Sequence, residues 1–557
     1  MLESNLPQRH GSLTHAPPWG VVLTLLLAGV LILPVIVVAA SVFLSSGDIW
    51  QHLYDTVLAE YIGNSLLLAL GVGCLSLPLG VIPAWLVTMY RFPGSRQLEW
   101  ALLLPLAMPA YIIAYTYTGM LDVAGPLQSW LRAAFDWQYG DYWFPDIRSL
   151  PGAVLMLSLV LYPYIYLLAR AAFLEQSASV VEVARTLGVR PAAAFFKVVL
   201  PLARPAIIVG LSLVLMETLA DYGTVQYFGV ATFTTGIFKT WFGLGSSIAA
   251  AQLSALLMLF VLFLIILEQH SRRQSRYYDT STRYGRLEQK HLRGLRGLPA
   301  LAVCALPVLF GFVIPSGQLL LWGIQTWRTS LDAGFFTLIA NSIELALVTA
   351  VLAAVLALAI SYARRQQPGI MTNLFNRLLG MGYAVPGAVI AVGVLIPFTW
   401  LDRHLGHWFG LLSDTEPGLL LSGTIAILVF AYLVRFLALS LNTVDAGLAK
   451  IKPSMDEAGR SLGFSGFRLL RRVHIPILRG SLLTAVLLVF VDVLKELPAT
   501  LILRPFNFNT LAVRTYELAN EERLADAAFP ALAIVLAGII PVIILSRAIS
   551  QSRTAHA

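Results

Sequence analysis

Two pairs of carboxylates stand where carboxylates are costly. Glu217 and Asp221 lie four residues apart near the end of one apolar run, and Asp492 and Glu496 lie four apart near the end of another. That spacing puts each pair on one helical face, and each member of the second pair follows its counterpart by 275 residues. Ionisable groups inside an apolar span mark an ion path or a relay by default. Hard carboxylate oxygens beside Tyr222 and Tyr227 suit a hard cation passing between two related halves, with Tyr222 on the path or gate. The same residues admit a structural role. Lys495 can neutralise Asp492 on its own helix, and spans that end here would leave the carboxylates among lipid headgroups. No metal ligand set is assigned.

A second constellation lies in two polar loops. Glu182-Val-Ala-Arg-Thr-Leu-Gly188 precedes Val198-Val-Leu-Pro201, and Glu457-Ala-Gly-Arg-Ser-Leu-Gly463 precedes Val473-His-Ile-Pro476. Glu to Gly is six residues and Glu to Pro nineteen in each copy, and the copies are again 275 residues apart. Ser179-Val-Val-Glu182 and Ser454-Met-Asp-Glu457 read as capping boxes that place each Glu three residues into a short helix. Gly188 and Gly463 suit the left-handed residue that ends it, and Pro201 and Pro476 mark the join to the next apolar run. The expected product is a rigid helix–turn–helix knob bearing Val183 and Leu187 in one copy and Ala458 and Leu462 in the other. Such a knob transmits force if something grips it.

The elements that must position these groups are membrane spans. Of 557 residues, 58% are hydrophobic and 12% charged, with a mean hydropathy of +0.76; a soluble domain is nearer a quarter charged. This excludes an ordinary cytosolic enzyme, a disordered chain and a disulfide scaffold. Twelve runs are long enough to cross a bilayer as helices, near 20–44, 63–89, 98–121, 151–172, 203–221, 244–267, 298–322, 339–362, 379–401, 418–440, 480–500 and 528–548. The first run is too long, and its flanks too weakly basic, for a cleaved signal peptide. Cys74 and Cys304 fall inside apolar blocks and read as small buried side chains with no disulfide.

The net charge of +8 is concentrated in alternate loops, which argues against nucleic acid as a partner. Basic residues crowd the segment from His270 to Arg296 and recur at Arg91, Arg96, Arg364, Arg365 and Arg377. The positive-inside rule makes these loops cytoplasmic; an even number of spans then puts both termini there, in agreement with Arg547 and Arg553. The opposite loop from Leu121 to Leu150 carries Asp122, Asp136, Asp141 and Asp146 among Trp130, Trp137, Tyr139, Tyr142 and Trp143. It reads either as an interfacial aromatic belt or as a docking surface for an external protein.

An internal repeat organises the chain. Asn64-Ser65-Leu-Leu-Leu-Ala-Leu70 returns as Asn341-Ser342-Ile-Glu-Leu-Ala-Leu347, and Pro109 returns as Pro386, both at an offset of 277. Residues 1–268 form the first repeat, 269–297 a basic cytoplasmic linker and 298–557 the second. Six spans per half give the two copies the same orientation, so a pseudo-twofold axis runs along the membrane normal, and a pathway belongs on it.

At the paired Glu–Gly–Pro loops the chain resembles the membrane subunits of binding-protein-dependent ABC importers. Their pattern is Glu-Ala-Ala, three residues, Gly, nine residues, Ile-x-Leu-Pro. Val183 and Gly459 depart from it by small swaps, as do Val198, Val473 and Ile475. The resemblance implies an all-α polytopic protein with the type I importer permease fold, about twelve helices in two parallel six-helix repeats fused in one chain. It implies that Glu182, Ala184, Gly188 and Pro201, with Glu457, Ala458, Gly463 and Pro476, form two coupling helices that dock on a separate ATPase dimer. The strings Met216 to Gly229 and Asp492 to Pro505 resemble, more narrowly, permeases of ferric-iron importers fed by a periplasmic ferric-binding protein. Localisation in the bacterial plasma (inner) membrane follows from the same resemblance.

The chain has no G-x-x-x-x-G-K-[ST] phosphate loop, and no HExxH, paired CxxC or GxSxG constellation stands out. A transport subunit rather than an enzyme is expected, with no cofactor of its own and ATP–Mg held by the partner ATPase. His404 and His407 share a helical spacing but read as a solvated pair in an outer loop. Thiamine or phosphonate importers share the architecture, and an ion-coupled secondary transporter also uses parallel repeats and intramembrane carboxylates. The secondary transporter leaves the paired loops unexplained.

Overall fold

The computed structural model describes residues 19–175, 193, 195–273, 290–292, 294–410 and 420–554. Among these, ten helices are long and apolar enough to cross a membrane, eleven if the bent pair Ser95–Ala107 with Ala110–Phe135 counts as one broken span. The last helix, Ala528–Thr554, carries a shorter apolar stretch over Ala528–Ile543. Each of the twelve expected spans therefore has a helix, though not always an unbroken one. Large apolar side chains such as Leu67, Leu70, Phe263, Ile324 and Val355 are exposed along the spans, as a lipid-facing surface requires. Cys304 is buried, but Cys74 is exposed on its helix, contrary to expectation.

Three spans, the third, ninth and eleventh, differ from the continuous runs read in the sequence. The third breaks by 91°: Met108, extended at ψ 113°, precedes Pro109, and a new helix starts at Ala110. The ninth repeats this, with Val385 at ψ 125° before Pro386 and a helix beginning at Gly387. Proline offers no N–H and disfavours the helical region for the residue before it, and both breaks fall at the repeated proline. The fifth span ends at Ala220 and the eleventh at Leu494; each is followed by a short helix, Gly223–Tyr227 and Pro498–Leu503.

The repeated Asn–Ser dipeptide ties down the chain that follows each of these short helices. Asn64 Nδ2 donates to Ala231 O and Ser65 Oγ accepts from Phe233 N; Asn341 Nδ2 donates to Asn509 O and Ser342 Oγ accepts from Leu511 N. Each half thus clamps the chain that follows its broken fifth span onto its second span with the same two side chains.

The halves also exchange their leading helices. Trp19–Ala40 packs on Gly387–Gly410 of the second half, close enough that a β-carbon at Gly393 would lie 2.9 Å from Val38. The seventh span, Gly294–Ser330, packs on the first half, where Tyr117 donates to Phe310 O at 2.7 Å. At the end of the linker, Lys290–His291 pairs in parallel with Tyr90–Arg91.

Candidate functional site

All five residues singled out for a pathway, Glu217, Asp221, Tyr222, Asp492 and Glu496, line one cavity of about 110 Å³ between the halves. Such a volume admits a small ion with a few waters. The helix breaks create it: the fifth and eleventh spans stop here, and the breaks at Pro109 and Pro386 deliver Tyr111 and Gly387 to the same place.

Asp221 and Glu496 do the same local work. Asp221 accepts from Thr224 N and Val225 N, both at 3.1 Å, and from Thr224 Oγ1 at 3.0 Å. Glu496 Oε1 accepts from Ala499 N at 3.0 Å. Each carboxylate therefore satisfies orphan donors of the short helix that follows its span. The charge partners differ. Glu496 Oε2 meets Arg435 Nη1 at 2.6 Å, with both side chains buried, and Asp492 meets Lys495 at 2.7 Å. The structural role considered for Asp492 is thus present within the cavity itself. Glu217 and Asp221 make no ion pair among the described residues. Nor does any group of three or more His, Cys, Asp or Glu among them cluster closely enough to hold a metal ion.

The polar loop after the tenth span forms the expected knob. Pro453–Ser461 is helical, and Gly463 at φ +80° ends it. Phe464 N donates to Gly459 O at 3.0 Å and Gly463 N to Arg460 O at 2.9 Å, the paired bonds of a Schellman close. The expected capping box is absent: the helix starts two residues earlier, with Pro453 at its first position, and no side chain caps it. Glu457 accordingly lies deeper in the helix than third. Glu457, Ala458 and Leu462 are all exposed, free to meet a partner. Gly459 is buried, and a β-carbon there would collide with Leu469. Pro476 sits inside a continuous helix rather than at a joint, two residues after the end of the wider π turn Leu470–His474, and Pro201 follows the π turn Phe195–Val199 in the same way. The wider turn absorbs the hydrogen bond that proline cannot donate. Glu182, Ala184 and Gly188 lie outside the described residues.

Asp456 anchors the knob. Its carboxylate accepts from Arg365 Nε at 2.8 Å and from His474 Nε2 at 2.7 Å, while Arg365 also donates to Leu448 O and Ile451 O. Burial pushes the Asp456 carboxyl up, but the hydrogen bonds and charges of Arg365 and His474 outweigh it and hold the group below its ordinary value.

Residues 76–276 and 350–554 each match the binding-protein-dependent transport system inner membrane component. The chain belongs to that family. It is a permease subunit of an ABC importer with the type I fold, not an enzyme, and the family works with an ATPase and a substrate-binding protein. The Fe(3+)-transport system permease of Haemophilus influenzae is 27% identical over 95% of this chain and 98% of its own length. The ferric transport system permease of Actinobacillus pleuropneumoniae is 24% identical, over 80% of this chain and 65% of its own. The molybdenum transport system permease of Escherichia coli is 32% identical over 30% of this chain and 71% of its own.

Several residues of the permease site escape the sequence reading. Arg435 lies in the tenth span among Leu433, Val434, Phe436 and Leu437, as conspicuous as the carboxylates by the cost of charge in a membrane. Gly387 lets the Arg435–Glu496 pair rest on the start of the ninth span, since a β-carbon there would collide with Glu496 Oε1 and lie 2.7 Å from Arg435 Nη1. His404 lies in the helix Gly387–Gly410 rather than in a loop, and is exposed with Nδ1 2.8 Å from Trp400 O. In the aromatic loop, Trp130, Tyr139 and Trp143 are exposed.

Proposed function

We propose that this permease carries ferric iron, received from an external ferric-binding protein, and moves it by alternating access between its two halves. The observation that carries the reading is the cavity at their junction, where four carboxylates converge from repeat-equivalent positions. Carboxylate oxygens are the hard donors a trivalent iron prefers. Without a clustered ligand set, the site passes the ion on instead of storing it.

The exposed face around Glu457, and the segment holding Glu182 in the other copy, dock on a dimer of ATPase subunits. That dimer binds ATP with magnesium, and this chain needs no cofactor. Closure of the ATPases pulls the two knobs together, and the halves rock about the axis between them. In this arrangement the basic loops and both termini lie in the cytoplasm, while the aromatic loop faces the binding protein.

The test is uptake by proteoliposomes holding the permease and its co-purified ATPase, with ATP inside and iron-loaded or empty ferric-binding protein outside. Iron accumulation that needs both ATP and the loaded protein is the expected result. ATP hydrolysis without iron uptake would redirect the substrate search to thiamine or phosphonates. Uptake that collapses with a proton uncoupler and needs no ATPase would overturn the coupling scheme.

A further inference from the structure

On a helix, residues seven apart share one face and stand about 10 Å from each other along the axis. Arg472, Pro476 and Arg479 form such a stripe where the polar loop after the tenth span runs into the eleventh, and all three are exposed. The 275-residue offset takes them to Lys197, Pro201 and Arg204 at the start of the fifth span, which are exposed too. Neighbouring positions differ between the halves: Arg471 stands opposite Phe196, and Gly480 opposite Pro205. The order cation, proline, cation is common to both.

Each stripe borders side chains that face lipid. Leu202 and Ile477, equivalent in the two halves, are exposed, as is Leu483, one turn beyond Arg479 on the same face. The more buried cations at this end of the bundle are neutralised: Arg170 pairs with Glu99, Arg364 with Asp445 and Arg365 with Asp456. None of the four stripe cations makes an ion pair among the described residues. The contacts that hold the second pair are neutral. The Arg472 guanidinium lies over the Phe464 ring, 5.1 Å from its centre. Arg479 Nε donates to Pro476 O at 3.1 Å, which turns its charge back along the helix toward Arg472 and away from Leu483.

We infer that each stripe seats an anionic phospholipid of the leaflet on the knob side, with its phosphate between the two cations and its acyl chains along the exposed aliphatic side chains deeper in the span. Basic side chains at a bilayer surface gain from anionic lipid, and guanidinium groups bind phosphate through charge-assisted hydrogen bonds. A protein partner on the stripe would meet charge and lipid-facing hydrocarbon together, whereas one phospholipid satisfies both. The bound lipid ties the starts of the fifth and eleventh spans, directly behind the two polar loops, to the bilayer surface whatever the cargo.

The full permease with its co-purified ATPase is placed in nanodiscs of phosphatidylcholine with rising amounts of phosphatidylglycerol, and the lipids that stay bound are counted by native mass spectrometry. The wild type should retain two phosphatidylglycerols in preference to phosphatidylcholine. K197Q/R204Q and R472Q/R479Q should each weaken one site about thirtyfold, the effect of two boundary charges. R472K/R479K, which gives the second half cations like Lys197, should keep both lipids. So should R96Q/R377Q, which removes two exposed cations of the same end that lie on no stripe. Raising the ammonium acetate concentration should release both lipids from the wild type by screening, a readout that needs no variant. Equal loss in R96Q/R377Q would reduce the stripes to general basic charge. Stripe variants that keep both lipids but lose the ATPase would assign the face to that partner. Either result, or a wild type that retains no phosphatidylglycerol or holds it regardless of salt, would overturn the inference.

Discussion

Arg435 Nη1 and Glu496 Oε2 meet at 2.6 Å with both side chains buried, and Glu496 uses its other oxygen to hold Ala499 N. One carboxylate thus joins the tenth span to the short helix after the eleventh. Removing one partner of a buried pair strands the other, at a cost of about 3–5 kcal/mol. Arg435→Met should therefore lower thermal stability in detergent by about that amount. Adding Glu496→Gln, which keeps the acceptor for Ala499, should restore about half of it. Equal melting of the wild type and Arg435→Met would mean that the pair is solvated and not structural.

Gly387 supports the same pair from below. A side chain there must displace Glu496 and Arg435, because its β-carbon would collide with one and press on the other. Overpacking a filled site costs about 1–3 kcal/mol, so Gly387→Ala should destabilise within that range. Gly480, where a β-carbon meets nothing, is the control, and Gly480→Ala should leave the melting curve in place. A Gly387→Ala variant as stable as this control would show that the pair shifts freely.

Much of this arrangement is legible in the chain because charge in an apolar run is visible without a structure. Glu217, Asp221, Asp492 and Glu496 announce themselves this way, and the common offset says that they converge. Arg435 obeys the same rule and is passed over only because it has no counterpart in the first half, where Val160 stands. What the sequence hides is of two kinds. Prolines 109 and 386 are plain to see, but a proline inside an apolar run can kink a helix or break it, and only packing decides which. Contacts between distant segments leave no local pattern, so Gly387 beneath an ion pair and Arg365 beneath Asp456 look like any loop glycine and any basic flank. The capping box misreads the knob because Pro453, one residue upstream of Ser454, is itself suited to a helix's first position.

Asp456 should make the knob's anchorage depend on pH. Its carboxyl is held below the ordinary carboxylate value by Arg365 and His474, so it gives up its proton more readily in the folded chain than when free. Its contribution is complete above the ordinary carboxylate range and is lost as pH falls through the depressed value. Around neutral pH the anchorage stays whole, and acid loosens it. Asp456→Asn removes a charge-assisted contact worth about 1.5–3 kcal/mol. At neutral pH it should expose Pro453–Ser461 to proteolysis, while the wild type becomes equally sensitive only in acid. A variant that resists cleavage like the wild type at every pH would show that the knob is held by Gly459 against Leu469 instead.

Charge reversal on the knobs separates their docking from their folding. Glu457 is exposed and makes no side-chain cap, so replacing it leaves the helix, its Gly463 close and the Asp456 anchorage in place. Glu457→Lys should therefore change melting by no more than about 0.5 kcal/mol, the usual range for an exposed site. If an ATPase grips this face, the same substitution should cut its co-purification several-fold, and Glu182→Lys with Glu457→Lys should abolish ATP-driven uptake while membrane insertion persists. The two readouts must part company: a double variant that inserts, melts and transports like the wild type would remove the knobs from the coupling mechanism.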